Sequence, residues 1–168
     1  MNVLEAIRTK RATRQFAGRS TPDEQIRTVV DAGRRAQSSK NTQPWHFIVV
    51  RERAMLQALS EVGPYAGHLA GAAFGVALAS PDPAGRWSIA FDLGQAAAYM
   101  QLAAWELGIG SCIGSMYDPA KARELLGVPD ELTVQVTLSF GFPAAAPAAR
   151  PKPGGRRPLG EVIHWDKW

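Results

Sequence analysis

Residues 88–107, SIAFDLGQAAAYMQLAAWEL, constrain this chain more than any other stretch. No proline interrupts them, and apolar side chains fall on nearly every side of a 3.6-residue period. A helix without a polar face does not sit on a water-exposed surface. It belongs in the centre of a domain or in an interface between subunits. Gly94 and Ala96 to Ala98 leave room for another backbone to approach closely. The remaining elements must therefore be arranged to cover this helix.

Those elements are short. Residues 2–10 read as a helix with Val3, Leu4 and Ile7 on one face. Thr21 reads as an N-cap, with Pro22 at the first helical position and Glu24 closing a capping box. Ile26, Val29, Val30 and Gly33 then share a face, and that helix ends near Gln37. Trp45–Val50, Ala72–Ser80 and Thr133–Phe142 read as strands, and residues 53–61 and Pro119–Leu126 as helices. GIGSCIGS, residues 108–115, reads as a turn. Several helices around three or four strands give an α+β or mixed α/β fold. A length of 168 residues with 46% apolar content suits one domain with a real core.

Charge and composition exclude several function classes. No apolar run reaches the roughly 18 residues of a membrane span. The start, MNVLEAIRTK, lacks the apolar centre of a signal peptide. Cys112 is the single cysteine, so no internal disulfide forms, and a cytoplasmic location is expected. His46, His68 and His164 stand far apart without HExxH or CxxC spacing, so no metal site is expected. Cys112 has no histidine placed beside it and reads as a small buried residue rather than a nucleophile. There is no GxxxxGK[ST] loop, and Gly108-Ile109-Gly110 follows a helix rather than a strand. Nucleic acid is not an expected partner, because the basic clusters lack interleaved aromatics.

The net charge of +4 is concentrated. Arg8, Lys10, Arg11, Arg14 and Arg19 form one cluster, Arg34 and Arg35 a second, and Arg150, Lys152, Arg156 and Arg157 a third. Each alone is what a solvated surface looks like. Together they suit a phosphate-bearing small molecule held by side chains. Two further stretches call for an explanation. QSSKNTQPW, residues 37–45, is strongly polar yet leads straight into a buried strand. The end of the chain is proline-rich from Pro143 and then closes on EVIHWDKW, an apolar finish that suits docking on a partner subunit.

These segments, in this order, resemble the nitroreductase family of FMN-dependent oxidoreductases. KRATRQF, residues 10–16, is similar to the family's RRSxRxF. QSSKNTQPW resembles its PSSxNxQPW, and Asp92 to Leu107 running into LGIGSCIGS resembles its central helix and flavin-contacting turn. ELLGVPDE, FGFP and RRPLGEVIHWDKW are similar to its late helix, last core strand and C-terminal ending. The resemblance implies an α+β fold, with a mostly antiparallel sheet flanked by helices, in an intertwined homodimer. Residues 1–143 would form the FMN-binding domain and 144–168 an arm exchanged onto the partner.

By match of position, Lys10, Arg11 and Arg156 (or Arg157 in its place) would meet the FMN phosphate. Arg14 would lie at the flavin N1–C2=O edge, where a cation raises the reduction potential. Ser38, Ser39, Asn41 and Gln43 would contact the flavin of the other subunit. Ile113, Gly114 and Ser115 would line N5, the backbone N–H groups of the last two facing it. Ala12 is also in the set, although it replaces the usual serine and removes a hydroxyl. Gln37 replaces a proline, and SCIGSM is one residue shorter than the commoner SCWIGAF. PDPAGRW, residues 81–87, stands where longer relatives carry covering helices, so a more open pocket is expected.

The implied activity is hydride transfer from NAD(P)H through flavin N5 to a small-molecule acceptor, such as a nitroaromatic, quinone or activated alkene, in a ping-pong cycle. No catalytic side chain is expected. Two alternatives stand beside it. One is a same-fold enzyme of another reaction type, reductive dehalogenation or flavin fragmentation. The other is a non-catalytic FMN-binding or storage protein.

Overall fold

A computed structural model describes residues 1–145 and 155–168. Arg150 and Lys152, part of the third basic cluster, lie outside the described residues. Five α-helices run α1 (Val3–Thr9), α2 (Asp23–Arg34), α3 (Arg53–Ser60), α4 (Ser88–Glu106) and α5 (Pro119–Leu126). Four strands, β1 (His46–Val50), β2 (Phe74–Ser80), β3 (Gly110–Ser115) and β4 (Thr133–Gly141), form one antiparallel sheet in the order β1-β2-β4-β3. The α+β reading holds.

The sheet separates two apolar cores. On one face, Ile26 and Val29 of α2 and Leu93, Ala96 and Met100 of α4 pack on Phe74, Val76, Leu138 and Phe140. The Phe74 and Phe140 rings stack 4.8 Å apart across β2 and β4. On the other face, Leu56 and Leu59 of α3, Leu69, and Ala122 of α5 pack on Ala77, Ala79 and Val134. Every residue of β2 is buried, as a central strand covered on both faces requires.

Local chemistry sets the ends of the elements. Asp118 accepts from the Lys121 N–H at 2.9 Å, Pro119 opens α5, and Gly127 closes it at φ 62°. The expected capping box on α2 does not form. Pro22 takes the cap position and the helix starts at Asp23, so Glu24 falls one position short of the reach a capping box needs. Thr21 is buried and its hydroxyl has no partner.

Residues 110–115 are a strand rather than a turn. Gly110 marks a close approach: a Cβ there would fall 2.6 Å from Thr13 Cβ and 2.7 Å from its Cγ2. The strand exists because β4 pairs with it on one side and Ala12 bridges Ser111 on the other.

The long helix is only half covered. Ile89, Leu93, Ala96, Ala97, Met100 and Ala104 are buried, but Phe91 and Tyr99 face out, Phe91 at 62% exposure. On α1, Val3, Leu4 and Ile7 are exposed as well. Among the described residues, the last backbone bond from the body to the C-terminal segment runs from Ala144 N–H to Gln15 C=O at 3.1 Å. Residues 155–168 are exposed throughout, including Leu159, Val162, Ile163, Trp165 and Trp168.

Candidate functional site

Lys10 to Phe16 runs beside the open edge of β3. The Thr13 N–H donates to Ser111 C=O at 2.9 Å, and Phe16 bridges Pro143. Backbone direction alternates along a strand, so Ile113 and Ser115 turn their N–H groups to the same open side as Ser111. Gly114 turns toward Thr137 of β4. Of the two N–H groups expected to face a ligand, the register thus turns Ser115 outward and Gly114 inward. Ile113 and Ser115 are exposed, and Gly114 is buried.

This edge is cationic. Lys10 is half-buried, and burial pushes its ammonium below the ordinary lysine value. Cys112 opposes that shift, and the charge of Arg156 adds to it. The charges of Lys10 and Arg156 thus oppose each other. Arg11 is already engaged at the end of α1, donating to the carbonyls of Arg8 at 2.7 Å and Lys10 at 2.9 Å. Arg14 is exposed, and no protein hydrogen bond or ion pair holds it among the described residues. Its charge reaches His68, which is buried behind β3.

The polar loop of residues 37–45 is built differently. Lys40, Asn41 and Gln43 adopt positive φ of 53°, 54° and 46°. Such conformations persist in non-glycine residues only where the surroundings fix them. Here the surroundings are the start of α4 and the segment before it. The buried Asp92 carboxylate accepts from the Ser39 N–H at 3.1 and 3.2 Å. Arg86 donates to Ser39 C=O at 3.2 Å and to the Thr42 hydroxyl at 3.3 Å. Gln95 donates to Gln37 C=O at 3.4 Å, and Ser38 Oγ accepts from the Gln43 N–H at 2.9 Å. The side chains of Lys40, Asn41 and Gln43 are left pointing into solvent.

One chain keeps these two sets apart. The loop hangs on Asp92, near the start of α4. The N-terminal segment hangs on its far end, through Trp105 Nε1 to Thr9 Oγ1 at 3.0 Å and the Met1 ammonium to Glu106 at 2.9 Å. The helix rise between those anchors is about 20 Å. The loop also leads into β1 and the cationic segment flanks β3, at opposite edges of the sheet. Lys10, Ala12, Arg14, Ile113, Gly114, Ser115 and Arg156 therefore gather at the β3 edge as one candidate half-site, with Arg11 beside them. Ser38, Ser39, Asn41 and Gln43 gather at the loop as the other.

Asp92, Arg86 and His68 were not legible as site residues. Asp92 lies within an apolar helix and Arg86 in a short loop, and neither spacing signals a partner about 50 residues away. His68 reads in the sequence as an ordinary histidine without metal-ligand spacing, and nothing there ties it to this edge. No group of three or more His, Cys, Asp or Glu side chains that could hold a metal ion occurs among the described residues. Among the same residues, no helix is long and apolar enough to cross a membrane.

The sequence profile of the Nitroreductase family matches residues 7–66 and 60–142. A protein of Methanothermobacter thermautotrophicus, provisionally named an NADH dehydrogenase/NAD(P)H nitroreductase, is 32% identical over 176 residues, covering all of this chain and 88% of its own. The NADPH-flavin oxidoreductase of Vibrio harveyi is 28% identical over 186 residues, covering 99% of this chain and 75% of its own. The structure of an FMN-dependent nitroreductase from Clostridium difficile superposes with a TM-score of 0.88 over 99% of this chain and all of that one; at 24% identity it speaks to the fold. With most of the body inside the family profile and the fold shared along its length, the chain belongs to the nitroreductase family.

Proposed function

We propose that the protein is an FMN-dependent oxidoreductase that works as a homodimer, with each flavin held between two subunits. The observation that carries this reading is the separation of the half-sites at the two ends of α4. Each is organised and exposed, and each offers what a different part of FMN needs. Lys10 and Arg156, whose charges oppose each other, suit a phosphate. Arg14 and the outward N–H of Ser115 suit the electron-rich edge of a flavin. The amide side chains of Asn41 and Gln43, presented by a fixed loop, suit its polar rim.

Bound FMN would supply the chemistry by taking hydride from NAD(P)H at N5 and giving it to a second substrate at the same place. The relatives named for NAD(P)H support the donor. Nitroaromatics, quinones and activated alkenes are the proposed acceptors. The protein's part is to bind, orient and bias. Lys10 and Arg156 fix the phosphate, Arg14 favours negative charge at the N1–C2=O edge, and the loop orients the ring system from the other subunit.

Subunit association has its own support. Val3, Leu4 and Ile7 on α1 and Phe91 and Tyr99 on α4 are apolar surfaces that one chain leaves bare. Among the described residues, strand β1 is a free sheet edge, flanked by a groove of about 540 Å³ between α2 and β1, with Ile26, Val30, Phe47 and Val49 among its lining. The apolar end of the partner's arm, Val162 to Trp168, is the proposed occupant.

The test is the visible spectrum of the purified protein before and after anaerobic NAD(P)H. A bound-flavin spectrum that bleaches supports the reading. Bound flavin that NAD(P)H cannot bleach overturns the donor, and failure to take up added FMN overturns the cofactor.

A further inference from the structure

His68 has no part in the proposed flavin contacts, yet it is the buried titratable group behind the proposed flavin edge. It sits in a short 3₁₀ turn, Gly67–Leu69, on the sheet face that carries α3 and α5. Its Nδ1 lies 2.7 Å from Ser139 Oγ on β4, and its Nε2 lies 3.3 Å from Ile113 C=O on β3. Its Cε1 lies 3.5 Å from where a Cβ of Gly114 would stand. The ring therefore ties β4 to the edge strand at the residues assigned to flavin N5. The charge of Arg14, the residue assigned to the N1–C2=O edge, reaches the ring.

The surroundings of the ring accommodate two proton arrangements. In the neutral ring, the Ser139 hydroxyl donates to Nδ1 and Nε2–H donates to Ile113 C=O. In the charged ring, Nδ1–H donates to Ser139 Oγ, whose proton turns to Cys112 C=O, 3.4 Å away. The Nε2–H bond is kept. A proton can thus be gained by rotating one hydroxyl, and both ring nitrogens stay hydrogen-bonded throughout. What opposes the gain is charge and burial. Burial lowers the affinity of the ring for a proton most, and Arg14 lowers it further, against the pull of the Ile113 carbonyl. These groups act on the ring: Arg14 from the N-terminal segment, the Ile113 carbonyl from β3 and Ser139 from β4. None is a carboxylate.

We infer that His68 is a positioning residue of the flavin site, and that it binds a proton when negative charge is placed beside Arg14. The inference rests on the flavin reading, because reduction of a flavin at that edge is what would bring the charge. The balance is simple. Two electrons and one proton reach the flavin from the donor, and a separate solvent proton binds His68 Nδ1. The imidazole is neither oxidised nor reduced.

The sign follows from linkage. In the chain without flavin, burial and Arg14 hold the ring below its ordinary value near 6.5, so it is neutral at pH 7. Negative charge beside Arg14 raises that pKa. Between the lower and the raised pKa, reduction takes up one proton more than it does above both. In that window the midpoint potential falls more steeply as pH rises, and the slope relaxes above it.

The experiment is the midpoint potential of the FMN-loaded protein against pH, for the wild type and for His68→Gln. The glutamine can still donate to Ile113 and accept from Ser139, but it cannot titrate. The expected result is a steep segment in the wild type that His68→Gln removes. A bend that reduced flavin itself contributes is common to both plots. Superimposable plots would overturn the inference. A second readout needs no flavin: the His68 ring resonances of the FMN-free protein, titrated by NMR. They should titrate below 6.5, and Arg14→Gln should move that titration upward. An unmoved titration would overturn the coupling, whereas failure to bind FMN would count only against the cofactor reading.

Discussion

Arg14 and Gly110 show how differently two residues near the β3 edge can be read. Arg14 stands among five basic residues between positions 8 and 19, and a charge cluster is visible in a sequence. No hydrogen bond or ion pair holds it among the described residues, so its removal should cost the fold little. Arg14→Ala is expected to leave the melting temperature within about a degree, consistent with an effect inside ~0.5 kcal/mol. The same change should weaken FMN binding by about tenfold, the order of one charged hydrogen bond. Fluorescence titration with FMN would check the second figure, and equal affinity would remove Arg14 from the site. Gly110 was not legible, because a glycine that opens a turn and a glycine that admits a neighbouring backbone look the same in a sequence. Here it admits the Thr13 side chain. Gly110→Ala should destabilise by about 1–3 kcal/mol, as overpacking does, and should loosen the Lys10–Arg14 segment along with β3. Thermal unfolding and amide exchange at Thr13 would register both effects.

Elements were legible where their signal is local. The alternating start of β4, the Asp118-Pro119 opening of α5 and the unbroken period of α4 each announce themselves within a few residues. β3 does not, because its small residues form a strand only when β4 and Ala12 supply partners on both sides. The α2 start shows a local signal overruled. Its cap sequence is present, but Thr21 is buried ahead of the helix and Asp23 pairs instead with Arg51 at 2.7 Å. The loop of residues 37–45 lies between these cases. Its polarity was evident, but its rigidity depends on Asp92. Asp92→Asn keeps the size and removes the charge from the Ser39 contact, which should cost about 1.5–3 kcal/mol of loop order. The expected outcome is faster tryptic cleavage after Lys40 and roughly tenfold weaker FMN binding, with the far-ultraviolet dichroism retained. Unchanged cleavage would mean that Arg86 and Gln95 suffice to hold the loop.

At the scale of the molecule, two unexplained features share one solution. The long helix predicts a covering that a single chain supplies on one side only, and the two half-sites cannot meet across about 20 Å of that helix. The proposed two-fold dimer would settle both, with an isologous contact that sets the loop of each chain at the β3 edge of the other. This arrangement makes a prediction that no single-chain site can imitate. Arg14→Ala disables the half-site on β3, and Asp92→Asn disables the half-site on the loop. When two such chains associate, one flavin site carries both lesions and the other carries neither. Random pairing from an equal mixture, unfolded and refolded together, should therefore restore wild-type FMN affinity in about a quarter of all sites. Fluorescence titration would show this as a tight phase absent from either variant alone. If each chain held a complete site by itself, the mixture would titrate as the plain average of the two variants, with no tight phase. The observed α4 geometry would then have to serve some purpose other than dividing the site between subunits.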